Sequence, residues 1–171
     1  FRDNESKVCG ATYKSEPSKY FNCSTDWRTV LVSGTGAGGR GVFALDISKP
    51  ETFSKDNFLW EFTEADDLDI GYVVKQPKII KLKISANEYR WFAAVPSGVN
   101  NYQSSFDDRG GSGNPSIFLL ALDKPVNDKW KVDENYFKIT LPFDATLATT
   151  LAPGIIDFSM LYGINNEVTH I

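Results

Sequence analysis

Histidine is nearly missing from this chain: His170 is the one copy in 171 residues. Ser-His-Asp and Cys-His arrangements need an imidazole oriented by a buried acid, so hydrolytic or nucleophilic catalysis is not expected. Cysteine is limited to Cys9 and Cys23, too few for a four-ligand zinc site and without the C-x-x-C spacing of a redox pair. Basic clusters are missing too. The net charge is −4, and nucleic acid is not an expected partner, because phosphate binding needs grouped Lys and Arg. No apolar run approaches about 18 residues, so no membrane-spanning helix is expected. Nor does a helical apolar period hold beyond two turns; the nearest stretch, 144–152, is weakened by Thr149, Thr150 and the following Pro153.

What is present favours sheet. Aromatic residues make up 13% of the chain, with 12 Phe, 7 Tyr and 4 Trp against one Met. Residues 27–47 read WRTVLVSGTGAGGRGVFALDI, two runs of β-formers around Gly34, Gly36, Gly38, Gly39 and Gly41. Gly34, Gly36 and Gly39 match the G-x-G-x-x-G spacing of dinucleotide sites, but that motif works by opening a helix onto a pyrophosphate. Here Val42 and Phe43 follow with no helix cap. The stretch is expected to be a wide β-hairpin whose glycines serve its turn, so that Val at Gly38 or Gly39 should damage folding.

Residues 1–26 are polar and irregular and are expected to form a long loop. Cys9 and Cys23 within it suit a disulfide closing about 15 residues, worth roughly 3 kcal/mol if unstrained, in an exported protein; two free thiols are the alternative. Asn22-Cys23-Ser24 fits a glycosylation sequon, a pattern short enough to arise by chance. The chain starts at Phe1 and reads as a piece of something longer. Further strands are expected at 58–62, at 77–84 and at 89–95, the last two joined by a turn over 85–88.

The sequence then repeats. Ser33-Gly34 returns as Ser97-Gly98, Ala44-Leu45-Asp46 as Ala121-Leu122-Asp123, Trp60 as Trp130, and Pro77-Lys78-Ile79-Ile80 as Pro153-Gly154-Ile155-Ile156. Unequal offsets are expected where loops of different length join equivalent strands. Each unit has four strands: one after a proline, one ending in Ser-Gly, one ending in Ala-Leu-Asp and one carrying the Trp. The expected fold is an all-β fragment of a β-propeller, about two four-stranded blades near 27–84 and 89–156 within 27–171, with a third starting near Ile155. A β-sandwich is the runner-up.

Acidic groups occur at Asp66, Asp67 and Asp69 and at Asp107 and Asp108, in stretches expected to be solvated loops rather than a desolvated acid–base pair. Asp67-Leu68-Asp69-Ile70-Gly71 supplies two ligands of a calcium loop, but Lys78 stands where its closing acid belongs. The glycine-rich insertion between strands, with Asn100, Asn101, Tyr102, Asp107, Asp108 and Arg109, is the candidate binding loop, since exposed loops on rigid scaffolds carry such functions.

As a set, Trp27-Arg28-Thr29-Val30-Leu31-Val32-Ser33-Gly34, 38–46, Leu59-Trp60-Glu61-Phe62, Ile70-Gly71-Tyr72 and Pro77 resemble the C-terminal propeller of the PilC/PilY family of type IV pilus biogenesis proteins. Ser97-Gly98-Val99-Asn100-Asn101, the run 114–125, Trp130 and Asn135-Tyr136 are similar to its neisserial-type PilC branch. The resemblance covers most of 27–156. It implies a non-enzymatic, exported protein of a Gram-negative bacterium, at the outer membrane, cell surface or pilus tip, acting in pilus extension, adhesion and twitching motility. Type IV pilins, the assembly machinery and a host-cell receptor are the implied partners. The family's propeller carries a calcium loop, which would fall at 157–169. There only Asp157, Asn165, Asn166 and Glu167 offer carboxylate or amide oxygens, so apart from a weak site on Asn165, Asn166 and Glu167 no cofactor is expected in this piece, and calcium is an expectation for the parent protein. Two alternatives remain, a quinoprotein (PQQ-type) dehydrogenase propeller and an outer-membrane assembly scaffold.

Overall fold

The computed structural model describes residues 28–86, 88–101 and 111–141, together with the backbone of two short strands at 161–162 and 168–170. The 27–47 stretch is a hairpin: β1 (Val30–Gly34) and β2 (Gly41–Asp46) pair antiparallel from Val30 opposite Asp46 to Gly34 opposite Val42. β3 (Phe58–Thr63) pairs with the other edge of β2, with a register slip between Ala44 and Leu45. The second sheet is formed by β4 (Lys78–Ser85), β5 (Glu88–Pro96), β6 (Ser116–Ala121) and β7 (Tyr136–Thr140). A two-stranded pair, β8 (Leu161–Tyr162) and β9 (Val168–His170), follows.

In both larger sheets strand order equals chain order, β1-β2-β3 and β4-β5-β6-β7. Consecutive meanders stacked face to face are how propeller blades are built, whereas immunoglobulin-type sandwiches pass strands between their two sheets. The unit boundary differs from the sequence expectation. β4 belongs with β5, so the second unit starts at Lys78 and the division expected between 84 and 89 falls inside a tight hairpin. Pairing across a short turn is the strongest local contact a strand has. The Ser-Gly and Ala-Leu-Asp landmarks align β1 with β5 and β2 with β6, and β4 then has no counterpart among the described residues of the first sheet.

The main core lies between the sheets. Val32, Val42, Ala44, Trp60 and Phe62 from the first meet Ala93, Val95, Phe118, Leu120 and Tyr136 from the second, with Ile70 and Val73 of the connector between them. Phe62 meets Phe118 at a tilt and Tyr136 edge-on, at centroid distances of 5.2 and 5.1 Å. Burying rings of this size contributes about 2–3 kcal/mol each. Trp130 is not on a strand. It sits in the β6–β7 connection and its ring meets Trp60 edge-on at 5.3 Å, so the two tryptophans taken as repeats of one position are contacts across one seam. A second cluster, Ile80, Phe92, Ala94, Ile117, Leu119 and Ala121, occupies the opposite face of the second sheet.

The structure also explains the Ser-Gly landmarks. The connector crosses the ends of β1 and β5: Gly71 donates its N–H to Ser97 O at 2.6 Å, while Tyr72 and Val99 exchange bonds at 2.8 and 3.1 Å. A Cβ on Gly34 would strike Val73 O, and one on Gly98, held at φ +75°, would strike Tyr72 O. Both repeated glycines admit the connector's backbone. Gly38 has open space around it and Gly39 only ordinary contact with Thr35, and neither has a φ that excludes a side chain. The expected damage from Val there is thus misplaced: close approach makes glycine necessary at Gly34 and Gly98, and the turn itself requires it at Gly36, held at φ +59°.

Candidate functional site

The connector that leaves β3 carries Asp66, Asp67 and Asp69. These were expected to be solvated, yet Asp69 is buried. In the turn after β3, Leu68 points out, 57% exposed, while Asp67 and Asp69 on either side of it point inward. Opposite them, β7 sends Tyr136 and Lys138 from one face. Lys138 Nζ donates to Asp67 Oδ1 at 2.9 Å and closer still to Asp69 Oδ2, and the Tyr136 hydroxyl donates to Asp67 Oδ2 at 3.3 Å. Ser112 adds its backbone N–H and its hydroxyl, the latter at 2.8 Å, to Asp69 Oδ1.

The electrostatics are those of a satisfied cluster. Burial works to raise Asp69, but the Lys138 and Ser112 hydrogen bonds outweigh it and leave the carboxyl below its ordinary range. For Lys138 burial works downward, and the two aspartates overcome it, holding the ammonium above its usual value. Tyr136 is pushed up to about 12 by burial first and then by the Asp67 charge. The Asp69 carboxylate is ionised and the lysine charged across the neutral range, an arrangement suited to bracing rather than to proton transfer. The ammonium stands between the carboxylates where a bound cation would stand. Among the described residues no group of three or more His, Cys, Asp and Glu is placed to hold a metal.

This clasp lies at the foot of the candidate binding loop. Asn101 is fully buried, donates Nδ2 to Asn114 O at 2.9 Å and accepts from Gly111 N at 3.0 Å, which brings the two stems together. Asn100 takes a left-handed conformation at φ +56°, tolerable for Asn. Tyr102, Asp107, Asp108 and Arg109 lie outside the described residues, as do Cys9 and Cys23 with their expected disulfide and the calcium candidates Asp157, Asn165, Asn166 and Glu167. Sequence reasoning missed Lys138 and its partners, although a Lys within the alternating Tyr136-Phe137-Lys138-Ile139-Thr140 was the available signal.

Two Arg–Asp pairs brace the sheets at equivalent places. Arg28 Nε meets Asp46 Oδ2 at 2.9 Å, and Arg90 Nε meets Asp123 Oδ1 at 2.8 Å, each aspartate being the last residue of an Ala-Leu-Asp landmark. Lys124, which follows the second, is buried with Nζ 3.0 Å from Pro125 O and 5.0 Å above the Trp130 ring. Burial lowers its pKa, against the opposing pull of Asp128 and Asp66.

No protein-family model matches the chain. A PilY1 homologue of Xylella fastidiosa, a type IV pilus biogenesis factor, is 45% identical over 75 residues, 44% of this chain and 5% of that protein. The type IV pilus biogenesis factor PilY1 of Pseudomonas aeruginosa UCBPP-PA14 is 34% identical over 127 residues, 68% of this chain and 9% of the relative. The chain thus spans less than a tenth of the length of these curated relatives. Among solved structures, the P. aeruginosa PilY1 C-terminal domain aligns with a TM-score of 0.56 at 20% identity, covering 83% of this chain and 24% of that one. That domain is a β-propeller, and the two meanders described above are a fragment of the same fold.

Proposed function

We propose, for a chain that belongs to the PilC/PilY family through its C-terminal propeller region, a part in type IV pilus biogenesis as a non-enzymatic scaffold. The observation that carries this is the 34% identity to a named biogenesis factor over 127 residues, 68% of this chain. The chemistry of the clasp supports it. Asp67, Asp69, Ser112, Tyr136 and Lys138 engage one another, and a site whose polar groups satisfy each other acts by holding shape. The parent protein would then work at the cell surface or pilus tip of a Gram-negative bacterium, engaging pilins and the assembly machinery. Adhesion to a host receptor, twitching motility and calcium dependence are further parts of the same proposal.

Deleting the gene in the source bacterium tests this. Loss of shear-released pilin, with unchanged total pilin and restoration by an intact copy, is the expected outcome. Robust dye-coupled oxidation of alcohols or sugars by the purified parent, supplied with quinone and calcium, would instead point to a dehydrogenase.

A further inference from the structure

We draw no further inference here: the strongest candidate, the surface patch of Lys81, Lys83, Tyr89 and Trp91 on the paired strands β4 and β5, where Lys81 Nζ lies 4.7 Å from the Tyr89 ring centroid, is a sheet face, and nothing in the structure shows what covers it.

Discussion

Removing the ammonium of Lys138 leaves Asp67 and Asp69 facing each other. Lys138→Met keeps an unbranched side chain over the Phe118 ring, where Nζ lies 5.6 Å from the centroid, and deletes only the charge. The side chains of Lys138, Asp67 and Asp69 are 21, 13 and 11% exposed, nearer the buried than the surface case. Breaking a buried pair by removing one partner costs about 3–5 kcal/mol and breaking an exposed one about 0–1. Residual water access places the expected loss at roughly 2–3 kcal/mol. Urea denaturation followed by the fluorescence of Trp60 and Trp130, which meet in the core, reads it. The partner variant Asp69→Asn and the double variant complete a cycle, in which the double is expected to fall short of the sum by about 1 kcal/mol or more. A Lys138→Met loss under about 0.5 kcal/mol, or strict additivity, would refute the clasp.

The pH dependence of that clasp has a definite sign. Asp69 has a folded pKa below its ordinary value, so its contribution is present above the unfolded value near about 4 and is lost as the pH falls through the folded one. Lys138 has a raised folded pKa; its contribution is complete below its unfolded value and fades only in strong alkali. Stability from the clasp should be flat across the neutral range and fall in acid, and acid titration of wild type against Lys138→Met checks this, with the gap closing as Asp69 protonates. Gly98→Ala, at φ +75° against Tyr72 O, should cost about 2 kcal/mol or more, whereas Gly38→Ala, in open space, should stay within about 0.5 kcal/mol in the same denaturation assay. Trp130→Ala removes the edge contacts to Trp60 and Phe62 at 5.3 and 5.4 Å and should lower stability by about 2–4 kcal/mol, read as a shift in thermal midpoint.

Local pattern carried much of the fold. β1, β2 and the β4–β5 hairpin were legible because β-branched and aromatic residues alternate between short turns, and because a G-x-G-x-x-G match without its helix has no mechanism. Recurring Ser-Gly and Ala-Leu-Asp landmarks gave the repeat, and the structure supplies their physical cause: the glycines admit the connector, and the aspartates pair with Arg28 and Arg90. The clasp was not legible, since Lys138 lies 71 and 69 residues from its partners in sequence. No local period reports contacts at that separation. Trp130 was misplaced for a related reason: its spacing from Trp60 imitated a repeat while recording a contact. Asn101 was singled out as a member of a binding loop, and the structure gives it a structural task at the foot of that loop, bonded to Asn114.

The central claim, that these two sheets are a working part of a pilus biogenesis propeller, is tested most directly by shear-released surface pilin in cells whose parent protein carries Gly98→Val. Val at φ +75° would drive its side chain into Tyr72 O and uncouple the connector from the second sheet. Surface pilin should fall toward the gene-deletion level, while Gly38→Val, made in the same background, keeps it at the wild-type level. Wild-type surface pilin in cells carrying Gly98→Val, with the propeller shown by proteolysis to be unfolded, would contradict the account.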